Sequence, residues 1–242
     1  MINYNQEGDC MYINGENKKD EFVKHLDGKK YKDLIPNLKR FIKSIYADVE
    51  EDSVITCRYV NNGKVDIEII CMNRLTRIMI KSGSNSLIHM EQLCSFLDFL
   101  KEINIDDKII RFMSGYFDEE DIKKCYDADF TAINMSEKIK LINEVLNQEE
   151  FIDLILERIL CYDYYHKKIH YLYYGNVLTG ICIKAEELKE LMKIKKQTIS
   201  NHIIIGKIHL YNFNINIFSN NKEVDKYKCL FKVNNLYSYL SH

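Results

Sequence analysis

Two acids one residue apart, Asp66 and Glu68, stand in Val65-Asp66-Ile67-Glu68, just after an Asn-Asn-Gly stretch. Paired carboxylates on one strand face can hold the Mg2+ of a metal-dependent nuclease. The lysine that completes such strands is missing, because Ile70 occupies its place. Alternation of the two acids with Val65, Ile67 and Ile69 also describes a strand with one wet and one dry face. Solvent exposure is the expected explanation of both acids. His166 and His170 lie four apart and would share a helix face for a metal, but no Glu follows the first and no third ligand is evident. Tyr162, Tyr164, Tyr165, Tyr171, Tyr173 and Tyr174 could stack bases or line an interface; a core or dimer surface is the expectation. Ser82-Gly83-Ser84-Asn85-Ser86 lacks the spacing and lysine of a phosphate loop. The eight cysteines contain no CxxC, so they read as free, buried, small hydrophobes rather than metal ligands or a disulfide framework. No cofactor and no metal is expected.

The chemistry with the longest pattern behind it is polyanion recognition. From Ile183 onward the chain has ten Lys, no Arg and five acids, a net +5, against −7 for the preceding 182 residues and −2 for the whole. A basic segment on an acidic body points to a polyanionic partner for that segment. Within it, Ala185–Met192 reads as a short helix with Leu188, Leu191 and Met192 inward. Lys193-Ile194-Lys195 reads as a turn, and Lys196–Ile205 as a second helix with Ile199 and Ile203 inward. Gly206 would follow as a C′ glycine. Two short helices joined by a three-residue turn form a helix-turn-helix.

The run Glu187-Leu188-Lys189-Glu190-Leu191-Met192, followed by Thr198-Ile199-Ser200-Asn201-His202-Ile203-Ile204-Ile205-Gly206-Lys207-Ile208, resembles the excisionase and MerR-type winged helix-turn-helix family. The resemblance covers about 60 of the 242 residues and implies a β wing and a final helix, which HLYNFNINIF, YKCLFKV and Asn235–Leu240 would supply. It also implies that Lys196–Ile205 enters the major groove of double-stranded DNA. Gln197 or Asn201 would pair with adenine. Lys195, Lys196 and Lys207 would meet phosphates, with Thr198 and Ser200 completing the contact set. A lone module of this kind makes few base contacts, so a homodimer on two half-sites is expected. The competing readings are a protein-interaction or effector protein without DNA binding, and the Mg2+-dependent nuclease.

These residues need elements to hold them. Leu34, Leu38, Phe41, Ile42 and Ile45 recur at helical spacing, with Pro36 near the start, and a short helix fits Asp20–Leu26. VITCRYV and VDIEIICM flank Asn61-Asn62-Gly63-Lys64 as a hairpin, LTRIMIKS adds a third strand, and MEQLCSFLDFLKEI follows the SGSNS loop as an amphipathic helix. Ser136–Asn147 and Gln148–Tyr165 read as helices, the second opened by an Asn147-x-x-Glu150 capping box. KIHYLYY and VLTGICI flank Gly175-Asn176 as another hairpin. The predicted fold class is α+β. An acidic mixed body (1–175) carries a three-stranded antiparallel meander and helices, and a small basic winged helix-turn-helix domain follows (176–242). Its aromatic and apolar content excludes a disordered chain. No stretch is long and apolar enough for a membrane span, and the polar amino terminus suggests no export. The expectation is therefore a cytoplasmic, non-enzymatic, sequence-specific DNA-binding protein, such as a transcription regulator or a phage or plasmid DNA-maintenance factor, with the body supplying the dimer interface or a regulatory site. The Lys-over-Arg, Asn- and Ile-rich composition suits an AT-rich genome such as that of a low-GC bacterium, its phage or its plasmid.

Overall fold

The computed structural model describes residues 19–61, 63–82, 86–117, 133–163, 165–193, 201–214 and 227–241. In chain order its elements are α1 (19–26), β1 (Lys29–Lys30), α2 (Pro36–Ile45), β2 (Val54–Tyr59), β3 (Ile67–Cys71), β4 (Arg74–Lys81) and β5 (Ser86–Gln92). Then come α3 (Leu93–Glu102), α4 (Asp107–Phe117), α5 (Met135–Leu146), α6 (Glu149–Leu160), β6 (Tyr171–Gly175) and β7 (Gly180–Lys184). The last are α7 (Ala185–Met192), β8 (Ile203–Ile205), β9 (Ile208–Asn214), β10 (Tyr227–Val233) and α8 (Leu236–Leu240). The fold is α+β. Among the described residues no helix is long and apolar enough to cross a membrane. The chain forms two compact units, each discontinuous in sequence. Unit 1 is Met1–Ser84, Cys161–Leu188 and Tyr237–His242; unit 2 is Asn85–Leu160 and Lys189–Leu236. Residue 175, where a domain boundary was expected, lies inside the β6–β7 hairpin of unit 1.

Unit 1 is a six-stranded sheet in the order β1-β2-β3-β4-β6-β7, antiparallel except for the β4–β6 pair. The predicted meander is β2-β3-β4. Its tight turn lies elsewhere than expected. Met72 and Asn73 take φ of +50° and +59° between β3 and β4, the pattern of a two-residue type I′ hairpin. Gly63 instead sits in a longer loop closed by the Val60 N–H donating to the Asp66 carbonyl, and Asn62 lies outside the described residues. The apolar face of the sheet carries Ile55, Cys57, Ile67, Ile69 and Tyr173 against Phe22, Leu38, Phe41 and Ile42 of the helices. Phe22, Phe41 and Tyr173 meet edge to face, with centroids 4.7–6.2 Å apart. The Tyr173 hydroxyl accepts from Asn37 Nδ2 (2.7 Å) and donates to the Asn176 carbonyl (2.8 Å), so this buried phenol is satisfied.

Unit 2 is an antiparallel four-stranded sheet in the order β5-β10-β9-β8. Its inner face holds Ile88, Ile203, Ile205, Leu210, Cys229 and Phe231, against which α3, α5 and α6 pack. Strand β5 was not anticipated: Ser86, expected in a loop, residues 87–89, assigned to no element, and residues 90–92, expected as the first turn of a helix, form it and pair with β10. The capping box also belongs to a different helix. Asn134 Oδ1 accepts from Glu137 N (2.9 Å) while Glu137 answers the Asn134 N–H, opening α5.

The expected recognition helix is corrected by β8. Ile203–Ile205 is a strand paired with β9, and residues 201–202 form a bend. Three consecutive β-branched residues favour extended backbone. Gly206, at φ +58°, starts a two-residue turn into β9. The outer edge of β8 is then occupied by the side chains of Asn143 in α5 and of Asn147, the residue that ends α5. Asn143 Nδ2 donates to the His202 carbonyl (3.0 Å) and its Oδ1 accepts from Ile204 N (2.8 Å). Asn147 Nδ2 donates to the Ile204 carbonyl (2.7 Å) and its Oδ1 accepts from Gly206 N (2.7 Å). Asn147 is therefore committed to β8 and does not cap α6. The strands expected to form a wing, β9 and β10, lie inside the sheet, because β10 pairs with β5.

Candidate functional site

Of the residues predicted to contact DNA, Lys195, Lys196, Gln197, Thr198 and Ser200 lie outside the described residues. Asn201 is exposed in the bend before β8. Lys207 is half-buried in the β8–β9 turn, its backbone N–H donating to the Met192 carbonyl at 2.8 Å. Helix α7 has the predicted bounds, with Leu188 and Met192 buried, but Leu191 is 39% exposed rather than inward. The charge asymmetry has a partial internal explanation within unit 2. Lys193 pairs with Asp153 of α6 at 2.5 Å, and Lys189 lies 3.7 and 3.9 Å from Asp153 and Glu157. These basic residues neutralise acids of their own chain.

The sheet of unit 2 presents a second face. Strand alternation turns His209 and Tyr211 of β9 and Lys228, Leu230 and Lys232 of β10 away from the inner core, and all are half-buried. Register places Lys232 opposite His209 and Leu230 opposite Tyr211. The His209 and Tyr211 rings lie 6.2 Å apart at 22°, and His202 sits 5.8 Å from Tyr211. Lys232 Nζ stands 5.2 Å over the Tyr211 ring. Burial, and then the neighbouring His202, hold the His209 pKa below its ordinary value, so this ring is neutral at neutral pH. The side chains described on this face of the four strands include no carboxylate. The local signal was the alternation in His209-Leu210-Tyr211 and Lys228-Cys229-Leu230-Phe231-Lys232, which marks the strands but not which face turns away from the core.

Asp66 and Glu68 are not solvent-exposed. They are 5% and 6% exposed. Glu68 lies in cross-strand register between Arg58 and Arg77, accepting from Arg58 Nε (2.7 Å) and Arg77 Nε (2.9 Å). Burial alone would raise its pKa, but the two guanidinium groups hold it below the ordinary value. Asp66 accepts from Ile80 N (2.6 Å) and pairs with Lys19 (2.6 Å). Both carboxylates already serve cations and donors of their own chain. Among the described residues no group of three or more His, Cys, Asp and Glu is placed to hold a metal ion. His166 is exposed at φ +56° while His170 leads half-buried into β6, its N–H donating to the Arg77 carbonyl, so the two do not form a pair. The tyrosines disperse: Tyr173 is core, Tyr174 contacts Tyr237, Tyr165 is 62% exposed, and Tyr164 lies outside the described residues.

An open cleft of about 350 Å3 lies in unit 1 between α2, β4 and the β6–β7 hairpin, lined in part by Tyr46, Arg74, Lys168, His170, Lys184 and Glu186. Arg74 lies over the Tyr46 ring at 5.2 Å. That ring is pinned by its hydroxyl, which donates to the Ile69 carbonyl at 3.0 Å. Arg74 pairs with Asp48, Lys168 with Glu186 (2.7 Å), and Lys184 with Glu187 (3.4 Å). All six side chains are at least 46% exposed, and exposed pairs contribute only about 0–1 kcal/mol each. His170 Nδ1 accepts from Arg77 N at 2.9 Å, which leaves its proton on Nε2. Burial, then Arg77 and Lys168, depress the His170 pKa, so the ring is neutral. These groups come from three distant segments, and no local pattern announces them.

A third polar cluster is internal to unit 2. Glu91 is buried between His89 Nε2 (3.1 Å) and Arg158, whose terminal nitrogen donates at 2.8 Å. Burial raises the Glu91 pKa, but these two partners outweigh it and the carboxyl stays below its ordinary value. His89 also stacks on Phe231 at 5.2 Å. No protein-family model matches this chain, and no curated protein sequence matches it either.

Proposed function

We propose that the protein binds nucleic acid through the outward face of β9 and β10 in unit 2, with single strands preferred to duplex. The observation that carries this reading is the His209–Tyr211–Lys232 cluster on a strand face without a described carboxylate. Every base has a π face, so rings on a sheet accept bases without needing a groove-filling helix. Lys228 and Lys232 on the same strand, with Lys207 at the nearby turn, suit backbone phosphates. The duplex-reading helix over Lys196–Ile205 is not part of this proposal, because its last three residues are strand β8.

The test is fluorescence anisotropy of the full chain with labelled single-stranded and duplex oligonucleotides across a salt series. Three phosphate contacts give a slope of log K against log salt of about −2 for a single strand. Tyr211→Ala removes one stacking surface, about 1–3 kcal/mol, and weakens binding roughly 5- to 150-fold. Lys232→Ala reduces the slope by about 0.7. Absence of binding at low salt, or Tyr211→Ala binding as tightly as the parent, refutes the proposal.

A further inference from the structure

We propose that the cleft of unit 1 is a binding site for a small organic phosphate, of the size of a nucleoside monophosphate. This site is independent of the nucleic-acid face of unit 2. Arg74, Lys168 and Lys184 bring three cations around one opening, and His170 adds a neutral N–H donor at Nε2. Of their present acidic partners, only Glu186 lines the cleft; Asp48 and Glu187 lie outside it. A phosphate dianion replaces these exposed carboxylates with a charge that several cations share at once, and charge-assisted contacts to phosphate are the stronger kind. Arg74 is held in advance by the pinned Tyr46 ring, so little ordering remains to be done on binding. A bare phosphate leaves most of about 350 Å3 unused, and the volume falls within the range of small-molecule sites. Ile45, Leu75 and Tyr171 supply an apolar wall for the organic part.

The experiment is a thermal-shift titration of the full chain in phosphate-free buffer, with dissociation constants from calorimetry. The probes are adenosine 5′-monophosphate, inorganic phosphate and adenosine. Adenosine monophosphate is expected to stabilise saturably, by about 5 °C or more at a hundredfold excess over its Kd. Inorganic phosphate is expected to bind at least about tenfold more weakly, since it forgoes the apolar wall, and adenosine to give no shift. Lys168→Ala/Lys184→Ala alters two half-exposed side chains, so folding is retained, and it is expected to weaken the monophosphate at least about tenfold. Tyr211→Ala in unit 2 leaves this titration unchanged. The inference is overturned if the monophosphate gives no saturable shift at millimolar concentration. It also fails if the double variant responds like the parent, or if adenosine does as well as its phosphate. Loss of oligonucleotide affinity in the double variant would assign the cleft to the polymer and equally overturn the small-ligand site.

Discussion

Asn147 uses one amide for three hydrogen bonds, to the Ile204 carbonyl, to Gly206 N and, back into the last turn of α5, to the Asn143 carbonyl. Asn147→Ala leaves buried strand groups unanswered and is expected to cost about 1–3 kcal/mol in urea unfolding. Asn147→Asp keeps the acceptor for Gly206 N but turns an oxygen toward the Ile204 carbonyl. Its deficit is expected to narrow as the acid protonates below about pH 4. Two other residues give the stability a pH dependence of defined sign. His170 titrates lower in the folded protein than in the unfolded chain, first through burial and then through Arg77 and Lys168. Its contribution is complete above about pH 6.5 and is lost as pH falls through the folded value. Glu68, despite its burial, is held low by Arg58 and Arg77; its contribution is complete above about pH 4.5 and is lost on further acidification. Denaturant midpoints from pH 8 to pH 5 are therefore expected to fall in the parent and to fall less in His170→Gln. Equal slopes would contradict the neutral, Arg77-bound imidazole.

At the level of elements, what was legible was whatever a local period encodes. Helices α2, α5, α6 and α7, the β2-β3-β4 meander and the β6–β7 hairpin all stand where apolar spacing placed them, within a few residues. Three strands escaped. The two-residue β1 is too short to carry a period. In β5, Leu87-Ile88-His89-Met90 abuts a strong helix, and its strand state is decided by β10, far along the chain. In β8, Ile199 and Ile203 satisfy helical spacing, yet Ile203-Ile204-Ile205 satisfies a strand equally well. The choice rests on Asn143 and Asn147, about sixty residues upstream. The candidate sites were least legible. The outward sheet face follows from which side the core lies on, and the cleft from three segments meeting. The double variant Asn143→Ala/Asn147→Ala tests the element: it bares the outer edge of β8 and is expected to promote self-association by edge pairing. Sedimentation velocity reads this directly, and a variant as monodisperse as the parent would show that the edge needs no cover.

For the whole chain, the discontinuity of both units has a direct experimental consequence. A cut at residue 175 parts β6 from β7 and β5 from β10. The fragment 176–242 retains the β9–β10 pair but lacks β5, α5 and both asparagines. It is expected to show no cooperative thermal transition by circular dichroism and narrow amide dispersion by NMR. A cooperatively folded fragment would restore the autonomous C-terminal domain that the helix-turn-helix resemblance implied. The basic character of that segment is offset in part within unit 2, since Lys189 and Lys193 face acids of α6.

The asparagine contacts also carry a rule about length. Asn143 bridges the carbonyl of residue 202 and the N–H of 204, and Asn147 those of 204 and 206. This is how alternate residues of a parallel neighbour would bond, so the helix stands in for a phantom strand. Four helical residues advance about 6.0 Å, and two strand residues about 6.6 Å. The two rulers slip by roughly 0.6 Å per rung. Two rungs absorb that slip and four would not, so a helix can counterfeit a strand only for a partner as brief as β8.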